Sequence, residues 1–216
     1  DEKELEIADK MVYVKGTQKM VSFADLAMAS HFYQGGVLLG KGSFFAETPG
    51  YQMDTVEGHA FPSVPAHTFA SQVVEIYVNP KNGKIRVTKI YSSSDVGFAV
   101  NPMALEGQIE GATATGLGFA LDEGLVEDGG RIVNPDLSEY RLPITTEIPE
   151  IEIALVEEKT KEGPYGAKGA GNPPLALPCS AIANALYDAI GVRIKDLPLT
   201  PEKVFRLANA QSHQQG

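Results

Sequence analysis

"GPYGAKGAGNPPLALP", residues 163–178, runs without a break into the apolar "CSAIANALYDAIG" of residues 179–191. Glycine and proline crowd the first stretch, and Asn172 sits at its tightest point. Gly166, Gly169 and Gly171 expose amide N–H groups without side-chain cover. The helix expected from Ser180 to Ile190, with Gly191 just past its end, turns its positive pole toward them. Such an arrangement suits an anionic ligand such as a phosphate or an oxo-anion. The competing reading is a strained connection between a strand and a helix.

Outward from this loop, strands and helices alternate without regular βαβ order, which makes the class α+β. In "SQVVEIYVNPKNGKIRVTKIY" two β-rich runs, Val73–Val78 and Ile85–Tyr91, flank Asn82-Gly83, a favoured hairpin turn pair. "NPMALEGQIEGATATGLGFALDE" predicts a helix from Pro102 to Leu121. Gly107, Gly111, Ala112, Ala114, Gly116 and Gly118 leave that helix nearly bald, and each interior glycine costs about 0.5–1 kcal/mol relative to alanine. Two uses would justify this: close helix–helix packing through Gly107-x-x-x-Gly111, or close approach of a ligand beside Gln108, whose amide both donates and accepts. "EIEIALVEE" alternates as a strand, and in "LPLTPEKVFRLANA" Thr200 caps a helix whose first position is Pro201.

Upstream, "KELEIADKMVYVKG" reads as two short strands around a turn, through Leu5 and Ile7, then Met11, Tyr13 and Lys15. "SFADLAMASHFY" predicts a helix with Ser22 as N-cap and Asp25 at the third position. Residues 34–67 read as irregular. The opening "DEKELEIADKMVYV" lacks an initiating Met and reads as a start inside a domain. Residues 1–216 are taken as one region. A division into two α+β subdomains would group residues 1–70 with the strands of 140–160, and residues 71–139 with 161–216.

Composition narrows the function. With 43% hydrophobic and 21% charged residues the chain is an ordinary globular one. A formal charge of −10 argues against nucleic acid and against anionic membrane surfaces as partners. No apolar run reaches the ~18 residues of a membrane span. The single cysteine, Cys179, excludes an internal disulfide and a Cys-rich metal site within this chain, and suits a reducing cytoplasm. It lies at the expected helix start, which could lower its thiol pKa, yet nothing beside it makes a nucleophile and a structural role is favoured.

Other motifs fall short. "GGVLLGKGSF" sets Gly35, Gly40 and Lys41 at phosphate-loop spacing, but Gly42 stands where Ser or Thr is needed to hold magnesium. Gly169-Ala170-Gly171 is followed by Asn172, Pro173 and Pro174, which breaks the dinucleotide pattern. His31, His59, His67 and His213 show no ligand spacing. From the residues alone, the reading ends at an anion or cofactor loop on an α+β domain.

Three segments, in order, carry a family resemblance: "VVEIYVNPKNGKIRV", "DVGFAVNPMALEGQIEGATATGLGFALDE" and "GAKGAGNPPLALPCSAIANALYDAIGVRIKDLPLTPEKV". The chain resembles the C-terminal part of the molybdenum-binding subunit of xanthine dehydrogenase and aldehyde oxidase-type molybdenum hydroxylases. The match is specific over about residues 70–205 and looser before them. The resemblance implies the α+β molybdopterin-binding fold. It implies that Gln108 hydrogen-bonds the pterin while Gly107 allows close approach, and that Lys168, Gly169, Ala170 and Gly171 line the molybdenum site. In the family a metal-bound hydroxyl attacks an electron-poor carbon of an aldehyde or purine-like heterocycle. Hydride passes to a sulfido ligand, and electrons leave through [2Fe–2S] clusters to FAD, here expected on partner chains. In bacterial relatives the pterin usually carries a cytosine nucleotide.

Two departures stand out. The family's earlier cofactor loops are absent, so the remaining part of the molybdenum subunit, an iron–sulfur subunit and an FAD subunit are expected as partners. The family's general base, a Glu, is replaced here by Asn172. An amide has no useful basicity near neutral pH, and general-base assistance is typically worth roughly 10²–10⁴-fold. Cofactor binding can therefore survive where ordinary hydroxylation does not. A non-catalytic structural subunit is the alternative that this departure raises.

Overall fold

In the computed structural model, residues 4–33, 35–37, 39–44 and 66–212 are described, and the chain divides into two units, Asp1–Phe45 and Ala46–Gly216. The first unit carries a three-stranded antiparallel sheet in the order β1 (Leu5–Ala8), β2 (Met11–Val14), β3 (Met20–Ser22). The expected pair of strands is present, and Lys15 lies just beyond the second. The third strand is too short to betray itself by alternation. Helix α1 (Phe23–Met28) starts where expected: Ser22 Oγ accepts from the Asp25 amide at 3.0 Å and donates to Asp25 Oδ2 at 2.6 Å. The helical path continues as a π turn over Ala29–Tyr33.

The second unit is built on a three-stranded sheet in the order β4 (Ala70–Val78), β5 (Ile85–Asp95), β8 (Glu150–Val156). β4 and β5 form the expected antiparallel hairpin, with Gln72 opposite Ser92 and a bulge at Glu75/Ile76. β8 adds to β5 in parallel, with Ile151 opposite Ile90. The strand of 150–156 is thus part of this sheet and not of a subdomain shared with residues 1–70. Between them come α2 (Pro102–Leu121) and a small ribbon of β6 (Glu127–Asp128) with β7 (Arg131–Ile132). Asn101 caps α2 by accepting from the Ala104 amide at 3.1 Å.

Helix α3 (Asn172–Ile190) lies against α2 and β4, and α4 (Pro201–Ser212) follows Thr200 as expected. α3 begins at Asn172 and not at Ser180. Pro173 and Pro174 sit in its first turn, where a missing N–H costs nothing and a fixed φ helps. The density of proline concealed two turns of helix.

Ile85, Ile90, Leu117, Ile182, Leu186, Leu199 and Val204 form the core between sheet and helices. Each fully buried aliphatic side chain contributes about 1.5–3 kcal/mol. The inward face of β5 changes character along its length. It is apolar at Ile85, Val87 and Ile90, then polar at the buried Ser92 and Ser94, and the buried Asp95 ends the strand. That polar end points the search for a site.

Candidate functional site

At the end of β5 the chain turns through Asp95-Val96-Gly97, and this turn clamps the glycine-rich loop. The Lys168 amide donates to Val96 O at 2.9 Å, and the Phe98 amide donates to Gly166 O at 3.0 Å. Lys168 Nζ donates to Asp95 Oδ2 at 2.7 Å, and Asp95 Oδ1 accepts from the Gly97 amide at 3.0 Å. Both charged side chains are only 9% exposed. Burial pushes the Asp95 carboxyl up. The hydrogen bond from Lys168, the Gly97 amide and the Lys168 charge outweigh it and hold the group below its ordinary value. Gly97 is required twice over: its φ is +66°, and a Cβ there would lie 2.2 Å from Gly166 O.

Beyond this clamp, Lys168, Gly169, Ala170, Gly171, Asn172 and Pro173 line a cleft of about 560 Å³ with Ala66, Thr68 and Glu162–Pro164. The amides of Gly169, Ala170 and Gly171 make no hydrogen bond among the described residues, and neither do the side chains of Asn172 and Gln108. Gln108 belongs to α2, yet a Cβ on Gly171 would lie 3.1 Å from its Nε2. The fold therefore brings Gln108 of α2 beside Gly171, while Gly169 to Asn172 run along the cleft on the loop and first turn of α3; Gly107 lies on α2 with open space around it. Lys168 shares the cleft, but its ammonium is spent on Asp95 and its part is to fix the loop.

The close packing of the bald helix falls at Gly116 and not at the expected Gly107-x-x-x-Gly111. Gly116 is buried, and a Cβ there would meet Leu175 O at 2.2 Å and Pro178 Cγ at 2.7 Å, so it sets the α2–α3 approach. Gly107 and Gly111 are exposed with nothing within 4 Å of an added Cβ. Cys179 lies inside α3 and not at its start, with Sγ 3.7 Å from Gly116 O, and burial pushes its thiol up. The positive pole of α3 is at Gly171 and Asn172, not near Ser180. Proline removes two of the first-turn donors there, so the amides of 169–171, unbonded among the described residues, are the main backbone donors at this end.

Other expectations resolve simply. No helix follows Lys41 over residues 42–44, so a phosphate loop is not formed. His31 stacks edge-on with Phe32 at 4.7 Å, His67 is exposed, and His59 and His213 lie outside the described residues. Among the described residues no three His, Cys, Asp or Glu side chains converge, and no helix is long and apolar enough to cross a membrane. A second cleft of about 320 Å³ lies at the opposite end of β5, near Lys84–Val87. Its Arg141 is already paired with Asp122 at 3.5 Å and with Glu147, which leaves it little charge to offer a ligand.

The pattern of the molybdopterin cofactor-binding domain matches residues 1–149 of this chain. The chain belongs to that family. It is 32% identical over 192 residues to the putative xanthine dehydrogenase molybdenum-binding subunit XdhA of Escherichia coli, covering 87% of this chain and 23% of that one. It is 32% identical over 213 residues to the 6-hydroxypseudooxynicotine dehydrogenase complex subunit gamma of Paenarthrobacter nicotinovorans, covering 95% and 25%. Among solved structures, aldehyde oxidoreductase from Desulfovibrio gigas superposes with a TM-score of 0.61 at 35% identity, over 66% of this chain and 15% of that one. CO dehydrogenase from Oligotropha carboxidovorans, at 21% identity, shares the fold with a TM-score of 0.71 over 99% of this chain. The chain spans about a quarter of the length of the curated relatives it matches.

The cleft fits the group that the family binds. Gly169 lines the cleft with nothing within 4 Å of an added Cβ, which leaves room for a bulky ring system. Three free amides and two free carboxamides offer donors and acceptors to a polar, anionic group. Asp95 and Gly97 lie within the second family segment, where spacing and composition alone assign them no role. The one available signal was a buried-type carboxylate directly after an alternating strand. Gln72 was also missed. It shares an inward register with Val74 and Ile76, and a polar residue in that register marks a buried polar contact.

Proposed function

We propose that this chain forms one wall of the molybdopterin site in a molybdenum-dependent oxidoreductase complex. The complex would oxidise an aldehyde or a purine-like N-heterocycle carbon using water. The observation that carries this reading is the convergence of the free amides of Gly169–Gly171 with the free carboxamides of Gln108 and Asn172 around bare helix backbone. Gln108 would hold the pterin edge, Gly107 would let it approach, and Gly169, Ala170 and Gly171 would donate to its anionic end. The cofactor, when bound, supplies the two-electron redox chemistry. The cytosine dinucleotide form is the proposed one. The remaining part of the molybdenum subunit, a [2Fe–2S] subunit and an FAD subunit are the proposed partners.

Asn172 favours a second reading, a non-catalytic structural subunit, because an amide cannot take the proton that the family's Glu takes. Counting molybdenum and acid-released CMP per copy of this chain in the purified complex separates the two. Near-stoichiometric values support the cofactor wall, and values near zero support the scaffold. Gln108→Ala sharpens the test, because Gln108 is exposed and bonded to nothing among the described residues. It should lower molybdenum content without loss of fold. Unchanged content in that variant would sink the binding role.

A further inference from the structure

We infer that Gln72 is a positioning residue for the cofactor loop. It latches the first turn of α3, and with it Gly171 and Asn172, by supplying a hydrogen bond that the helix cannot make for itself. Its purpose rests on the functional reading above; its geometry does not.

Pro178 lies inside α3. In an α-helix the carbonyl of residue i accepts from the N–H of residue i+4. Residue i+4 from Pro174 is Pro178, which has no N–H. Pro174 and Pro178 are both fully buried, so water cannot replace the lost donor. A buried carbonyl without a donor is rarely tolerated. Gln72 Nε2, on β4, donates to Pro174 O at 3.2 Å. A proline carbonyl only accepts, so chemistry fixes which end of the Gln72 amide faces it.

The same nitrogen lies 3.0 Å from Thr113 Oγ1 on α2 and 3.2 Å from Ser92 Oγ on β5. Thr113 is 0% and Ser92 2% exposed. With two hydrogens for three acceptors, the nitrogen gives one to Pro174 O and shares the other between the two hydroxyls, so one side chain reaches from β4 to α3, α2 and β5. Pro174 follows Asn172 by two positions, so releasing its carbonyl frees the turn that carries Asn172 and adjoins the free amides of 169–171.

The chemistry prescribes its own rescue. Pro178→Ala restores an N–H that can reach Pro174 O within the helix, and Gln72 should then become dispensable there. Gln72→Leu, Pro178→Ala and the double variant would be prepared in the complete complex. Hydrogen exchange of the Leu175, Ala176 and Leu177 amides and molybdenum per chain would both be read, with α4 exchange as a control on global folding. In Gln72→Leu, exchange at 175–177 should rise at least roughly tenfold with α4 unchanged. The double variant should exchange within about threefold of Pro178→Ala alone. Equal effects of Gln72→Leu in both backgrounds, or no rise at all, overturn the latch. Should Gln72→Leu fail to accumulate, Gln72→Met, also without a donor, gives the same comparison.

Molybdenum retention should fall in Gln72→Leu and recover in the double variant. Retention that stays unchanged while exchange rises overturns the positioning role. A wild-type complex free of molybdenum instead removes the functional reading, and the exchange comparison still decides the latch.

Discussion

Asp95→Asn is the most informative single perturbation of the clamp. Asparagine keeps an Oδ1 that can accept from the Gly97 amide, so the turn itself is preserved. The other half of the new amide places a donor against the Lys168 ammonium, which loses its carboxylate partner in a site 9% exposed. Removing one partner of a buried pair costs about 3–5 kcal/mol, because the other charge stays uncompensated. Lys168 lines the cleft and can swing toward water, so the lower end, about 3 kcal/mol, applies. At about 1.4 kcal/mol per tenfold, local opening should become roughly 100-fold more frequent.

The amides that report it are Lys168, bonded to Val96 O, and Phe98, bonded to Gly166 O, read by hydrogen exchange in the complete complex. Lys168→Met alone should cost less, since the carboxylate keeps the Gly97 amide. The double variant should cost less than the sum, because it leaves no unpaired ammonium. An exchange increase below tenfold in Asp95→Asn, or strict additivity in the double variant, would refute the reasoning. The pH dependence has a fixed sign. The folded-state pKa of Asp95 is depressed, so its stabilisation is fully present above the ordinary value of 3.8 and is lost as pH falls through the folded value. The clamp should therefore open on acidification below about 4 and not near neutrality.

Substituting the two classes of α2 glycine should give opposite results. Gly116→Ala drives a Cβ to 2.2 Å from Leu175 O and should lower the melting temperature of the complex by prising α2 from α3. Gly107→Ala meets nothing within 4 Å and should stabilise the helix by about 0.5–1 kcal/mol, and on the proposed function it should lower molybdenum content by filling space proposed for the cofactor. Equal stability changes in both variants would contradict the division of roles. Cys179, its thiol pushed up by burial, should resist alkylation at pH 8 in the folded complex and react on unfolding, as counted by mass spectrometry.

Much of this architecture is local and could be read from residues. The hairpin follows from two alternating runs around Asn82-Gly83, and α2 follows from Asn101-Pro102 at its start. Ser22 and Asp25 mark α1, and Thr200-Pro201 mark α4. What escaped depends on contacts across the chain. α3 starts at Asn172 because its prolines fall where a helix tolerates them, and Pro178 is accommodated by a donor that lies 102 residues away from Pro174 in sequence. Composition alone makes the same stretch look like loop. β8 belongs beside β5 for a similar reason: parallel pairing is decided by the sheet edge available, not by the strand's own alternation. In the proposed site, glycine spacing and Gln108 draw attention from sequence alone, because small residues and a lone amide leave a mark there. Asp95 and Lys168 were not seen as a pair, since 73 positions separate them and only the fold makes them neighbours.

Asn172 separates the proposed cofactor wall from the alternative of a non-catalytic scaffold. It is exposed, it opens α3, and its carboxamide bonds to nothing among the described residues. Asn172→Glu should therefore cost the fold little, and a carboxylate at a helix N-terminus is mildly favoured by the dipole. Prolines at 173 and 174 leave few amides to stabilise that charge, so the new group should keep enough basicity to take a proton near neutral pH. If Asn172 occupies the position of the family's base, turnover of the molybdenum-loaded complex should rise roughly 10²–10⁴-fold. A new ascending limb should appear in the pH profile as the carboxyl ionises. Unchanged turnover at unchanged molybdenum content would show that residue 172 does not face the reacting group. The loop would then serve to hold the cofactor, with proton transfer entrusted to another chain.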